Sequence, residues 1–297
     1  MPNSALIEDN TIIQGADTSG NGTGNYLALD ATGAITANVK DSFLELALSG
    51  LYSGRTALEF PIFGRRNAGW NSTSAFGDVV QYLDTSQNDI NAVATGTTYY
   101  VRSSSASDTL AGTGAQKVNI TSLNASGVLQ TAEYSLNGTT GVSLGSGYSY
   151  FEFMEVSAVG SGGVSAGNIT IGSVNGAPTV AQTVEYIVAG GNRSLSGRFM
   201  VPSGYQGCII DWDASGVGGA DYDVRLRAKV NAYNRSLSTV FHFQGTFYLQ
   251  QGVYSHEDMH MRLFPALCEI KISCIPSNAA AANKLDAGFD ILLVAIA

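Results

Sequence analysis

The residues best suited to chemistry form the run His256-Glu257-Asp258-Met259-His260. This run fits the pattern H-E-x-x-H, in which a helix carries two zinc ligands on one face and the Glu activates water. Gly252 and Pro265 leave room only for a short helix, and the nearest third ligand, Glu269, lies in a strand-like run. We therefore interpret the run as a polar loop and predict no metal site. A divalent ion held by the two histidines is the alternative.

Two other stretches resemble binding loops without meeting their requirements. Asp211, Asp213, Asp221 and Asp223 surround a Gly-rich stretch, but their spacing matches no calcium-loop signature, so we interpret them as a solvated loop. The run Gly160 to Gly167, GSGGVSAG, lacks the Lys-Ser/Thr ending of a phosphate-binding loop and is interpreted as a turn. No G-x-S-x-G nucleophile elbow precedes a helix. The sequence therefore predicts neither an enzyme nor a cofactor.

The elements around these residues are predicted to be strands. Gly is abundant with 35 residues and Pro is scarce with 6, and short apolar runs are separated by turn residues throughout the chain. Turn signals recur every ~8–12 residues, which is typical of a β-sandwich, jelly roll or barrel. The run YDVRLRAKV (Tyr222 to Val230) predicts a half-buried strand with a basic outer face. In YSYFEFMEV (Tyr148 to Val156) the alternation is strict, but the pattern does not say which face is buried.

Composition excludes several classes of protein. The net charge of −9 disfavours binding to nucleic acid, and charged residues are only 13% of the chain. The N-terminal run MPNSALIEDNTIIQ has neither a basic nor an apolar region and is not predicted to be a signal peptide. No apolar run reaches the ~18 residues of a membrane helix. The three cysteines, Cys208, Cys268 and Cys274, suggest buried free thiols and synthesis in a reducing cytoplasm. Cys268 and Cys274 are predicted to share one sheet face.

Residues 1–50 differ from the rest of the chain. Gly15 to Gly24 is turn-rich, and Ser42 to Tyr52 (SFLELALSGLY) is apolar enough to pack as a short helix or a strand. We predict an extended N-terminal arm over residues 1–50 and a β-sandwich or jelly-roll body over 51–297, which allows two sub-domains with a break near 190–200. An ordinary disordered terminus is the alternative. The basic stretch Gly64 to Asn67, which contains Arg65 and Arg66, is predicted to be a turn.

An ordered series of segments resembles a family of virion structural proteins of tailed bacteriophages, of the marine and cyanophage type. The segments are FGRRNAGWNSTSAFGDVVQYLD (from Phe63), SSSASDTLAGTGAQKVNI (from Ser103), YSLNGTTGV (from Tyr134), GSGGVSAGNITI (from Gly160), GNRSLSGRFMVPSGYQG (from Gly191) and GFDILLVA (from Gly288). The block from Ser103, with the LNGTT downstream, is the most specific. The resemblance covers most of residues 55–297, implies a capsid-decorating or tail-associated protein, and supplies no catalytic residues.

These observations together predict an all-β, jelly-roll-like virion protein. We expect a cement protein on the capsid surface that is made in the host cytoplasm, forms a homotrimer, binds the major capsid protein, and binds neither nucleic acid nor membrane. The candidate capsid contacts are Phe43, Leu44 and Leu46 of the arm and the neighbouring Arg65 and Arg66. A tail or fibre protein that binds the host receptor is the alternative function.

Overall fold

The structure is a computed structural model that describes residues 26–29, 35–38, 57–66, 76–81, 90–231, 233–250, 254–278 and 283–296. Side chains are described in these ranges except at 26–29, 35–38, 57 and 254–262. The chain divides into two compact units, Met1–Ala57 and Leu58–Ala297. In the first unit, strands β1 (Tyr26–Leu29) and β2 (Ile35–Asn38) pair as an antiparallel hairpin. The predicted residues Phe43, Leu44 and Leu46 lie outside the described ranges.

The second unit is built almost entirely of strands. Within its described residues the one helical element is a 3₁₀ turn, Val180–Gln182. Its strands are β3 (Ala57–Arg66), β4 (Gly77–Asp78), β5 (Tyr99–Ser103), β6 (Ala115–Asn124), β7 (Leu129–Ser135), β8 (Val142–Gly145), β9 (Tyr148–Val159), β10 (Ile169–Gly172), β11 (Thr183–Ile187), β12 (Arg198–Met200), β13 (Tyr205–Val217), β14 (Tyr222–Val230), β15 (Leu237–Leu249), β16 (Tyr254–Phe264), β17 (Glu269–Pro276) and β18 (Lys284–Ala295).

Eight of these strands form a jelly roll. One sheet has the order β3-β18-β13-β16 and the other the order β12-β17-β14-β15. From its centre outward, the chain folds as a nested ribbon that pairs β14 with β15, β13 with β16, β12 with β17 and β3 with β18. Successive pairs alternate between the two sheets, which is the arrangement of two Greek keys in a jelly roll. The short strand β4 pairs with β17 at one edge.

An apolar core lies between the two jelly-roll sheets. Trp212 stacks on Phe247 with ring centroids 3.9 Å apart, and both belong to one continuous buried cluster. Strand β14 contributes every second residue to this cluster, because its burial alternates strictly along the strand. Burying aliphatic and aromatic side chains of this size contributes about 1.5–3 kcal/mol each. The free thiols of Cys268 and Cys274 lie in the same cluster.

An insert of further strands, β5 to β11, separates β3 from β12 in the chain. It forms two antiparallel sheets with the orders β11-β10-β5-β8 and β7-β6-β9, and a second apolar cluster that includes Ile120, Phe151, Met154 and Ile169. The last strand of the insert ends at Ile187, and the jelly roll resumes at Arg198.

The buried carboxylate of Asp108 connects the loops of the insert. Its Oδ1 accepts the backbone N–H groups of Ala115 (2.7 Å) and Ala166 (2.8 Å), and its Oδ2 accepts those of Gly167 (2.9 Å) and the Ser103 hydroxyl (2.5 Å). The carbonyl of Asp108 also accepts the N–H of Gly138. The segments from Ser103, from Gly160 and around LNGTT therefore converge on one side chain, although they are far apart in the sequence.

The prediction of an all-β, jelly-roll-like body is confirmed. Strand β14 has the predicted half-buried pattern with Arg225, Arg227 and Lys229 on its outer side, and the cysteines are buried and free as predicted. Two other interpretations are wrong. The run from His256 to His260 is part of strand β16, not a loop, and Arg65 and Arg66 belong to strand β3, not to a turn. The division into an arm and a body stays a prediction.

Candidate functional site

Strand β3 places the two predicted arginines on opposite sides of the sheet. Burial alternates along β3, so that Phe63 and Arg65 are exposed whereas Ile62 and Arg66 are buried. Arg66 is 2% exposed, and its Nη1 donates to the carbonyl of Asp78 at 2.9 Å. Its guanidinium therefore does not reach the surface of this chain, and we withdraw Arg66 as a capsid contact. Arg65 stays a predicted contact.

Arg65 lies at the surface in a bidentate ion pair. Its Nε and Nη2 donate to the two carboxylate oxygens of Asp286 on β18 at 2.5 and 3.0 Å. This hydrogen bond, against a smaller opposing effect of burial, raises the pKa of Arg65. Both side chains are nearly half exposed, so the pair holds the guanidinium in one orientation but contributes little to stability.

A small pocket of about 240 Å³ opens beside this ion pair. Its lining residues come from β3, β13 and β18 and from the segment that precedes β12, and they are Phe63, Gly64, Arg65, Leu195, Asp213, Asp286, Ala287 and Gly288. The pocket therefore combines one aromatic ring, one cation and two carboxylates. Such a surface suits a polar protein partner better than an apolar ligand.

The outer face of this sheet is acidic beyond the pocket. Asp211 on β13 lies opposite Asp290 on β18 in the strand register. Burial and the nearby charges of Asp211 and Glu59 raise the pKa of Asp290. Among the described residues no group of three or more His, Cys, Asp or Glu side chains is arranged to hold a metal ion. Two cations besides Arg65 also reach this face: Lys284 is exposed two residues before Asp286 on β18, and the Arg193 guanidinium lies 5.2 Å from the centre of the Phe63 ring.

The H-E-x-x-H run does not have the geometry of a zinc site. In strand β16, His256 lies opposite Asp213 and Asp258 opposite Asp211 in the register with β13. Residues four apart along a strand are separated by about 13 Å, whereas a zinc ion holds its ligands at about 2 Å. The run therefore lacks the helical spacing on which the H-E-x-x-H pattern depends. The acidic residues that we interpreted as a loop lie instead in β13, in β14 and at the turn between them.

A cluster of charged and polar side chains, most of them buried, lies where the insert meets the jelly roll, and we call it the joint. Its members are Tyr150 and Glu152 of β9, Glu185 of β11, Arg198 of β12, Lys229 of β14 and Glu269 of β17. Arg198 is 2% exposed, and its Nη2 donates to the carbonyls of Val184 (3.0 Å) and Phe151 (3.3 Å) and lies 3.5 Å from a carboxylate oxygen of Glu185.

The carboxylates of Glu185 and Glu152 accept hydrogen bonds from their neighbours. Glu185 accepts the Ser196 hydroxyl at 2.6 Å and the N–H of Tyr186 at 3.3 Å, and Glu152 accepts the N–H of Met200 at 3.1 Å. Burial raises the pKa of both carboxyl groups, although the Arg198 charge lowers it. Sequence reasoning missed the joint because its members belong to five strands. The one available signal was the presence of Glu at strand positions 152 and 185, which pattern alone did not assign to a face.

The fold and this surface together define a jelly-roll β protein with an inserted β domain. No protein-family model matches the chain, and no curated protein does. In its described residues no helix is long and apolar enough to cross a membrane.

Three solved structures illustrate the level of structural similarity. The infectious bursal disease virus VP2 subviral particle has a TM-score of 0.22 at 10% identity, covering 81% of this chain and 70% of that chain. T=1 particles derived from the same virus give 0.21 at 12% identity, with the same coverage of 81% and 70%. The tandem CBM22-1–CBM22-2 domain of Paenibacillus barcinonensis Xyn10C gives 0.20 at 8% identity, covering 78% of this chain and 97% of that chain. Similarity of this size identifies neither a family nor a function for this chain.

Proposed function

We propose that this protein is a structural component of a tailed-phage virion, and specifically a cement protein that decorates the head. In this role it binds as a homotrimer to the major capsid protein at three-fold positions of the shell. Binding to the assembled shell and not to free subunits stabilises the shell by mass action. Interfaces of this kind bury about 1,200–2,000 Å².

The observation that carries the proposal is the jelly-roll strand order of β3 and β12–β18. Viral capsid domains, lectins and cupins use this order, so the fold alone leaves several functions open. The phage-like segments favour the virion. Three of the six segments, those from Ser103, from Gly160 and around LNGTT, converge on Asp108, which makes these three structural determinants of the insert. No catalytic group is needed for the proposed role.

Arg65 is the described residue that we propose as a capsid contact. It is exposed beside the pocket, and Asp286 fixes its orientation. A carboxylate in an acidic patch of the major capsid protein would replace Asp286 as the hydrogen-bond partner of this guanidinium. Such an exchange uses a charge that is already oriented, so it orders few new rotamers on binding.

Decoration of shells that lack this protein tests the proposal. Purified protein is added to such shells, and the bound copies and the shell's thermal stability are measured. We expect saturation at the three-fold positions and a raised disruption temperature. Arg65→Ala is expected to weaken binding about tenfold. Lys117→Ala removes a comparable exposed ion pair, Lys117–Glu133 at 2.6 Å in the insert, and is expected to bind normally.

Equal binding by both variants would exclude Arg65 as a contact. Binding to purified tails in place of shells would favour the receptor-binding alternative. Deletion of residues 1–50 tests the arm, because unchanged affinity of the truncated chain would show that the arm, with Phe43, Leu44 and Leu46, is not the anchor.

A further inference from the structure

Strand β15 is a long sheet edge without a single charged residue. It spans Leu237–Leu249 with the sequence LSTVFHFQGTFYL, and it is the last strand of the sheet β12-β17-β14-β15. On one side it pairs with β14, and no described strand pairs with its other side. An edge strand presents alternate N–H and C=O groups that another strand can bind.

The other edge strands of the jelly roll have features that protect them against pairing with a further strand. Strand β12 is three residues long, β16 carries the charged residues Glu257, Asp258 and Arg262, and β3 carries Glu59 with its two arginines. Short length and charge both prevent edge-to-edge pairing. Strand β15 has neither protection, so it differs from its three counterparts in the same domain.

The side chains along β15 add an apolar surface to the edge. Val240 is 62%, Phe243 56% and Tyr248 78% exposed, and Tyr233 at the tip of the β14–β15 hairpin is fully exposed. The backbone of Arg235 in the same hairpin has a φ of 56°, a conformation that is uncommon for a residue other than Gly. Exposed aromatic side chains on a constrained hairpin are typical of binding surfaces.

We infer that β15 pairs antiparallel with β15 of a second copy of this chain, which joins two sheets across a two-fold axis. The charge distribution selects this occupant. Each copy carries a net charge of −9, so two copies repel on average, and an uncharged strand is a place where they meet without that cost. The cations next to this strand, Arg227 and Lys229 of β14, already pair with Asp78 and Glu269. Antiparallel pairing of a strand with itself is self-complementary, as a two-fold interface requires.

The inference goes beyond the proposed function, because it concerns contacts between copies of this protein and not contacts with the capsid. On a shell, trimers at neighbouring three-fold positions are related by two-fold axes. Pairing through β15 would link these trimers into a continuous cage. The pairing is also a property of the protein in solution, where it is measured without capsids.

Phe243 lies at the middle of β15 and is the position at which to test the pairing. In a pair centred there, Phe243→Asp places two carboxylates side by side. We expect it to weaken self-association of the full-length protein about tenfold in sedimentation velocity. Val217→Asp is the matched control, because Val217 is 60% exposed at the end of β13, in the other sheet of the jelly roll. Mixing Phe243→Asp with Phe243→Lys is expected to restore association.

Unchanged self-association of Phe243→Asp, or an equal loss in Val217→Asp, would overturn the inference, as would a wild-type protein that forms no association sensitive to these changes. Decoration of shells by the same variants separates this result from the proposed function. A Phe243→Asp protein that binds shells but no longer self-associates supports both proposals. A protein that self-associates through β15 but binds no shell contradicts only the proposed function.

Discussion

The interior of the jelly roll and the joint are both buried, yet they are built from opposite kinds of side chain. The jelly-roll core is an apolar cluster that contains Trp212, Phe247 and Ile272. The joint holds Arg198 against Glu185 and Glu152. Apolar packing tolerates change in proportion to the volume removed, whereas a buried ion depends on every one of its partners. The attachment of the insert is therefore expected to be more specific, and more sensitive to single substitutions and to pH, than the sandwich itself.

Removal of the Arg198 side chain is expected to have the largest effect. Arg198→Ala leaves the carboxylates of Glu185 and Glu152 buried without their cation, which costs about 3–5 kcal/mol of unfolding free energy. Chemical denaturation of the variant measures this cost. In the double variant with Glu185→Gln the loss is expected to be smaller than the sum of the single losses, because the uncompensated charge is gone. Additive losses would contradict an electrostatic role for the pair.

Substitution of Asp108 is expected to cause the next largest loss of unfolding free energy. Asp108→Asn turns an amide NH₂ toward backbone N–H donors that the carboxylate now accepts, and we expect a loss of about 3 kcal/mol. Thermal unfolding followed by circular dichroism measures it. The control Asp286→Asn changes an exposed ion pair and is expected to cost at most about 1 kcal/mol. Equal losses in the two variants would show that Asp108 does not connect the loops of the insert.

A conservative change in the jelly-roll core is expected to have a modest effect that does not depend on pH. Ile272 is fully buried in the core, and Ile272→Val removes one methylene group at a cost of about 1 kcal/mol. Denaturation curves at several pH values check both the size and its constancy. A loss of unfolding free energy that varies with pH would contradict the proposed difference between the core and the joint.

The smallest expected effect is a change in the free energy of unfolding with pH that comes from Glu152 of the joint. Burial raises the pKa of Glu152 above 4.5, the ordinary pKa of a Glu side chain. Above pH 4.5 the unfolded chain therefore releases a proton that the folded protein still holds. This contribution to stability is therefore fully present below that value and is lost as the pH rises through the folded pKa. Glu152→Gln mimics the protonated form, so its stability relative to wild type is expected to increase with pH.

A carboxylate with the opposite shift provides the control for this measurement. Hydrogen bonds from Lys117 and Ser157 lower the pKa of the exposed Glu133. Its contribution is present above the ordinary value and is lost as the pH falls, so Glu133→Gln is expected to change stability with the opposite sign. If Glu152→Gln tracks the wild type at every pH, the Glu152 carboxyl does not control the joint.

Strand content was predictable from the sequence because it depends on local patterns. The alternation in YDVRLRAKV gave strand β14, its buried face and its basic outer face. The predicted turn at Gly64 failed for a tertiary reason. A Cβ atom at Gly64 would lie 2.3 Å from the carbonyl oxygen of Val79, so this Gly permits a close approach of two chain segments within a strand.

Other features depend on contacts that no local pattern encodes. The charged run of β16 looked like a loop because edge strands carry polar residues on both faces. The sequence pattern around Tyr150 did not predict which face of the strand is buried. In the structure Phe151 faces the core of the insert, and Glu152 faces Met200 and the joint. Arg65 and Arg66 were assigned together, but strand alternation separates them, so that only Arg65 is available at the surface.

The most direct test of the proposed function is the copy number and position of this protein in intact particles. Cryo-electron microscopy of the virion, with quantitative mass spectrometry of its proteins, gives both. The cement role predicts hundreds of copies over the shell, with a jelly-roll density at the three-fold positions. A dozen copies or fewer, confined to the tail, would contradict it.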